Sequence, residues 1–244
     1  MTIIFSYFCI QNQMINIMKK ITVILMLLGS IFITGAFAQS KPFRLGLKLS
    51  PSFGWLNPNT KGYESLGSKF GFGVGFISDI TMTENYFFTT GIDMEWNYGG
   101  LKYDDKQNDS IGTMSRDYKL KYLDIPLSIK MKTNQFDEWA FFGQLGLVPG
   151  FRLGAKSDDL FDPENGKSVE TTDNDITDDI QLFRTSILFG GGGEYYIDES
   201  TCLFVSLSFK YGITNVLKGT NAVDNSLNQK AHYNGLQLNL GVIF

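Results

Sequence analysis

Residues 88–98 read Phe88-Thr89-Thr90-Gly91-Ile92-Asp93-Met94-Glu95-Trp96-Asn97-Tyr98. Phe88, Thr90, Ile92, Met94, Trp96 and Tyr98 alternate with Thr89, Gly91, Asp93, Glu95 and Asn97. A period of two marks a β-strand whose two faces meet different surroundings, because successive side chains point to opposite sides of a pleated ribbon. Two carboxylates, Asp93 and Glu95, share the polar face, so whatever that face meets must satisfy ionised groups.

The pattern recurs along the chain. Upstream, Leu45, Leu47, Leu49, Pro51, Phe53 and Trp55 oppose Arg44, Lys48, Ser50 and Ser52, and Phe70, Phe72, Val74 and Phe76 oppose Gly71, Gly73 and Gly75. Downstream, Leu123, Ile125, Leu127, Ile129 and Met131 oppose Asp124, Pro126, Ser128 and Lys130; the phase slips near Tyr122, where a β-bulge is expected. The remaining four segments place Gln144 and Arg152, then Arg184 and Glu194, then Lys210, then Gln237 and Asn239 opposite rows of Leu, Ile, Val and Phe. Short links after the second, fourth and sixth segments (79–85, 133–138, 198–200) alternate with long polar ones. An even strand count with tight turns on one side and long loops on the other is the pattern of outer-membrane barrels.

Composition agrees with strands. Apolar residues make up 43% and charged ones 19% of 244 residues, with 21 Phe, 11 Tyr, 26 Gly and 6 Pro, and the mean hydropathy is -0.05. This excludes a bundle of apolar helices and a disordered chain. Alternation alone does not say which face points inward; volume does. An eight-stranded barrel has room for one filling of side chains, and rows of Phe, Leu and Trp are too bulky for it, whereas glycines beside long charged residues interlock. The apolar face is therefore expected outside, where an aqueous monomer tolerates patches of only about a few hundred Å² and lipid tolerates far more. Closure also gives every strand a hydrogen-bonding neighbour, which lipid does not supply. Trp55, Trp96, Tyr98, Trp139, Tyr195 and Tyr211 near segment ends suit the aromatic girdles of such barrels.

Ahead of the strands stand Met18, Lys19 and Lys20, an apolar stretch from Ile21 to Thr34, and Ala36-Phe37-Ala38 before Gln39. That is the layout of a cleaved secretory signal peptide. Residues 1–38 are expected to be the signal region, with translation starting at Met18, and 39–244 the barrel domain. Removing the two lysines takes the formal charge from -4 to about -6 (19 basic minus 25 acidic), which argues against nucleic acid as a partner. Cys9 goes with the leader, leaving Cys202 without an intrachain partner.

Few residues offer chemistry. His232 is the only histidine, no serine-histidine-acid motif surrounds it, and His and Cys are too few for a zinc site. No cofactor motif stands out either: Gly190 to Gly193 lacks the following Lys-Ser or Lys-Thr of a phosphate loop. The acidic stretch 156–181 lacks the glycine and closing glutamate of an EF-hand and is expected to be a solvated loop. The inward charges are a different matter. Lys48, Asp93, Glu95, Asp124, Lys130, Arg152, Arg184, Glu194 and Lys210 are expected to meet in the lumen, either as a selective pore or, in so narrow a bore, as a plug of paired charges.

Four stretches resemble the PorT-like outer-membrane barrel family: Tyr122-Leu123-Asp124-Ile125-Pro126-Leu127, Gly190-Gly191-Gly192-Gly193-Glu194-Tyr195, Lys210-Tyr211-Gly212-Ile213-Thr214-Asn215, and the closing run to Phe244. The resemblance implies an outer-membrane barrel whose last strand, through Leu240, Val242 and Phe244, carries the signal read by the barrel-assembly machinery. It implies little about activity: the founding member is tied to a secretion apparatus, which makes secretion the family-suggested example, while most relatives have no assigned role. The expectation is an all-β, eight-stranded antiparallel up-and-down transmembrane barrel in the bacterial outer membrane, in contact with its lipid. It is expected to be non-catalytic, serving binding or an envelope complex; the alternatives are a narrow channel and, last, a lipase or protease.

Overall fold

The computed structural model describes residues 43–107 and 110–244. The signal region, the start at Met18 and Cys9 lie outside the described residues. Eleven strands follow in order: β1 Phe43–Leu49, β2 Ser52–Pro58, β3 Glu64–Thr83, β4 Tyr86–Gln107, β5 Ser110–Asp124, β6 Leu127–Lys132, β7 Trp139–Pro163, β8 Val169–Asp175, β9 Phe183–Tyr196, β10 Cys202–Gly212 and β11 Ala231–Ile243. All pairings are antiparallel, and they form a circuit. From β3 it passes through β4, β5, β7, β9 and β10 to β11. β11 then pairs with β2 (Leu236 opposite Phe53) and with β1 (Leu240 opposite Leu49), and both of these pair with β3.

Two prolines interrupt this circuit without opening it. Proline has no amide hydrogen to give a ladder, and the strand is interrupted at Pro51, between β1 and β2, and at Pro126, between β5 and β6. The neighbouring groups stay bonded: Ser50 and Gly73 exchange backbone hydrogen bonds of 2.8 and 2.9 Å, Leu238 N donates to Pro51 O, and Ile125 N donates to Pro149 O. β6 accordingly continues the line of β5, pairing with β4 and β7. β8 pairs with β7 alone.

Several connections differ from the loops expected. β4 and β5 stay paired from Asp93–Asp124 out to Gln107–Ser110, so the third link is a hairpin of paired strand. Much of the acidic stretch 156–181 is likewise strand, in β7 and β8, followed by a single 3-10 turn at Thr177–Asp179. A membrane crossing needs about 9–11 strand residues; β4 has 22 and β7 has 25, each about twice that length. We call the end with these hairpins the upper end, and the end with the 84–85, 133–138 and 197–201 turns the lower end.

The outward face is apolar as the alternation dictates. Large apolar side chains of the strands are exposed on it, among them Phe76 at 61%, Phe70 at 60% and Phe141 at 59%. At the lower end Trp139 packs against Tyr195, ring centres 5.1 Å apart; toward the upper end Trp55 stacks on Phe209 at 6.0 Å.

Inside, the filling changes with height. The lower and middle interior is polar, with a small apolar cluster of Ile77, Phe142, Phe204, Ile243 and Cys202 beside it. Above it lies an apolar core containing Leu56, Leu101, Met114, Tyr118, Leu120, Tyr122 and Tyr233. This accounts for the phase slip expected at Tyr122. That strand does not slip: Tyr118, Leu120, Tyr122 and Asp124 are all buried on one face, and what changes there is the character of the interior. The extra residue sits opposite, on β7, where Lys121 pairs with Gly154 but Tyr122 pairs with Arg152, passing over Leu153. Beyond it the parity of β7 reverses, so that Leu153 is exposed and Ala155 buried.

Candidate functional site

The interior charges form two clusters and an intermediate pair. In the lower cluster, β1 supplies Arg44, β3 Asp79, β6 Lys130 and Lys132, and β9 Glu194. Lys130 Nζ lies 2.8 Å from Asp79 Oδ2 and 2.6 Å from Glu194 Oε1, and Arg44 reaches the same two carboxylates at 3.1 and 3.3 Å. Lys132 adds a longer contact to Glu194, 3.4 Å. Remaining lone pairs are satisfied by hydroxyls: Thr89 donates to Asp79 at 2.6 Å and Tyr196 to Glu194 at 2.8 Å.

In the upper cluster Lys210, from β10, bonds Glu95 and lies 3.0 Å from Asp124, while Arg184, from β9, donates twice to Asp124 at 3.0 and 3.2 Å. Gln237 donates to Glu95 at 2.8 Å. The Arg184 guanidinium lies over the Tyr122 ring at 3.9 Å and faces that of Tyr233 at 5.1 Å, joining the ionic layer to the apolar core above.

Between the clusters, Lys48 meets Asp93 at 2.7 Å, and Ser50, Asn239, Ser206 and Ser208 are linked by hydrogen bonds of 2.8 to 3.2 Å. A cavity of about 30 Å³ remains beside Lys48, Asp93, Gln144 and Asn239, room for about one water. Glycines make these layers fit: a Cβ on Gly75 would strike the Asp93 carboxylate, one on Gly150 that of Asp124, and one on Gly54 the Tyr233 hydroxyl. In these ion pairs six cations meet five anions. Buried charges need such near-neutral, hydrogen-bonded company, because desolvating an unpaired one costs several kcal/mol.

Eight of the nine expected interior charges stand in these pairs. Arg152 stands apart: it donates to the backbone carbonyls of Thr177 and Ile180, at the base of the upper connection. Sequence reasoning put Arg44 on a polar face without counting it among the lumen charges, and left out Asp79 and Lys132. All three lie in phase with the polar faces, but near strand ends where link and strand look alike. Of the expected assembly residues, Leu240 is exposed on β11, and Phe244 continues the ladder by exchanging backbone bonds of 2.7 and 3.1 Å with Leu45.

The upper connections close over the interior. Ile176, Ile180, Val216 and Leu217 join the buried apolar core, a β-bridge links Ile180 to Leu217, and Lys218 N donates to Asp179 O at 2.7 Å. Asn221 donates to the Tyr63 hydroxyl and to Asp104 O at 2.9 and 2.8 Å. The acidic stretch is held by bases on β5: Arg116 grips Asp159 through two bonds of 2.7 and 2.9 Å, and Lys119 contacts Asp158 and Asp173. Among the described residues no cluster of His, Cys, Asp and Glu is arranged to hold a metal. His232 opens β11 with its Nδ1 buried and without a hydrogen-bond partner.

The antiparallel circuit is closed, greasy outside and ionic within. The model of the outer membrane protein beta-barrel domain matches residues 37–218. The chain belongs to that family. Its place is the bacterial outer membrane. Solved structures similar to it include neisserial surface protein A, 14% identical over 83% of this chain and 96% of that one, TM-score 0.43. Others are the outer membrane protein OprG from Pseudomonas aeruginosa, 9% identical over 82% and 96%, TM-score 0.46, and the outer membrane protease OmpT from Escherichia coli, 11% identical over 86% and 99%, TM-score 0.34. No curated protein matches the sequence.

Proposed function

We propose that the protein is an eight-staved transmembrane barrel with a closed bore, without catalytic activity, whose upper hairpins bind a ligand or support an envelope or secretion complex. Counting β1 with β2 and β5 with β6 as single interrupted staves, and β8 as part of a connection, leaves eight. The observation that carries the reading is the filling of the bore. Two layers of paired charges cross it, and an apolar core fed by the upper connections closes it above. Diffusion along such a bore requires breaking several buried ion pairs at once, each removal of a partner costing about 3–5 kcal/mol. Ion pairs across a narrow lumen act as struts that fix register; a passage needs them separated.

The non-catalytic reading is consistent with His232, whose buried Nδ1 has no acid to orient the ring through that atom. The PorT-like assignment within the family, recognition of the last strand by the barrel-assembly machinery, and a companion in the envelope belong to the same proposal. The test is electrical. Protein reconstituted in planar bilayers is expected to give no steady single-channel conductance, and a steady unitary current would replace this reading with that of a narrow channel. Gentle solubilisation of outer membranes followed by co-purification then separates a complex subunit from a solitary barrel.

A further inference from the structure

Near the upper end of the outward wall, β4, β5 and β7 border a cleft of about 220 Å³ lined by Trp96, Tyr98, Lys119, Lys121, Gly154 and Lys156. Register explains how these residues meet. Trp96, Lys121 and Gly154 form one cross-strand row, and Tyr98, Lys119 and Lys156 the next. The bulge at Leu153 puts Gly154 and Lys156 on the outward side, and a Cβ built on Gly154 meets nothing within 4 Å, so the middle of the cleft is open. Below it the wall is apolar, with Phe151 and Leu153 exposed.

The three lysines are not equivalent. Lys119 is engaged by Asp158 at 2.7 Å and Asp173 at 3.1 Å. The Lys121 ammonium lies 5.2 Å from the centre of the Trp96 ring, and among the described residues neither Lys121 nor Lys156 has a carboxylate within ion-pair range. Among these residues Lys121 thus has no carboxylate partner, and Lys156 stands opposite Asp175 in the β7–β8 ladder without forming an ion pair. Both ammonium groups line an open cleft bordered on the β4 side by Trp96 and Tyr98, directly above a wall suited to acyl chains. Lysine cleft and apolar wall together match an amphiphile with an anionic head.

We propose that this cleft binds the phosphate group of a lipid in the outer leaflet, with Lys121 and Lys156 on the phosphate oxygens and the acyl chains along Phe151 and Leu153. The proposal rests on the reading that the hairpin end faces outward. A free anion has no use for the apolar wall, which is why a lipid is the occupant chosen.

The test uses the full barrel in detergent and native mass spectrometry, with bisphosphorylated lipid A, its dephosphorylated form and inorganic phosphate as probes. One bound equivalent of the phosphorylated lipid is expected, preferred about tenfold over the dephosphorylated form, as charge-assisted contacts imply. The double variant Lys121→Gln/Lys156→Gln is expected to abolish that preference. Gly154→Leu, which fills the cleft without altering charge, is expected to do the same, while Lys61→Gln, on an upper connection away from the cleft, leaves it intact. Equal binding of the two lipids, a preference that survives the double variant, or displacement of the lipid by millimolar phosphate overturns the proposal. Failure of the barrel reading looks different: the protein then stays out of lipid bilayers altogether.

Discussion

The lower and upper halves of this molecule solve one problem in opposite ways. Both must fill the inside of the same circuit of strands. At membrane depth, where the outside is lipid, the inside is ionic: Lys130 between Asp79 and Glu194, Lys210 between Glu95 and Asp124. Above it the circuit rises into water and the filling becomes apolar, around Leu101, Met114, Tyr118 and Leu217. The outward surface explains the switch. In lipid the apolar residues are already placed outside, so the interior takes the polar half of the alternation. In water the hydrophobic effect drives apolar side chains inward, as in any soluble domain.

The comparison predicts that the two halves fail differently. The largest effect is expected from Glu194→Ala. Glu194 is the common acceptor of Arg44, Lys130 and Lys132, and deleting it leaves buried cations with too few anions, a loss of about 3–5 kcal/mol. Unfolding by urea from lipid vesicles measures it. A shift in midpoint no larger than that of an exposed-site control would show that the lower charges are hydrated and not struts.

How much of this was legible follows the same division. Alternation placed Asp93, Glu95, Asp124, Lys130, Arg184 and Lys210 on an inward face, because at membrane depth face and polarity coincide. It missed Asp79, which reads as the start of a turn although β3 continues to Thr83. The upper core was not legible for a physical reason. Tyr118, Leu120 and Tyr122 carry the same kind of side chain as an outward row, and period two identifies two faces without saying which is inside. The change of environment between Tyr122 and Asp124 therefore looked like a slip of register. The irregularity belongs to β7, where Leu153 and Gly154 show no local sign of it. Arg152 illustrates the cost, since one residue before the bulge it leaves the ion pairs and bonds the Thr177 and Ile180 carbonyls.

A middle-sized effect sharpens the contrast. Leu101 is fully buried in the upper core, and Leu101→Ala is expected to cost about 2–5 kcal/mol there through lost burial and a residual cavity. The loss should be local. Hydrogen exchange is expected to quicken in the 97–121 hairpin and in the connection around Leu217, while amides of residues 88–95 keep their protection. Equal quickening in both regions would mean that the halves unfold as one cooperative unit.

The smallest effect compares the two ends through a motif they share. Asp198 in a lower turn accepts bonds from the Ser200 amide, the Ser200 hydroxyl and the Thr201 amide at 2.8, 3.0 and 2.8 Å. Asp224 in an upper connection accepts from the Ser226 amide and hydroxyl at 2.9 and 2.6 Å. Each carboxyl is held below its ordinary pKa, Asp198 chiefly by the Ser200 backbone bond and Asp224 chiefly by the Ser226 hydroxyl, because hydrogen bonds to the ionised form favour it. A depressed folded pKa gives stability that is complete above the unfolded value and disappears as pH falls through the folded one. Both turns should therefore be intact at neutral pH and loosen only in acid below the usual carboxylate range. With one more amide donor, Asp198 is expected to titrate at the lower pH. Carboxyl carbon shifts followed by NMR across an acid titration check the order, and Asp224 titrating first ties the tightness of each turn to its own donors and not to the half of the molecule it closes.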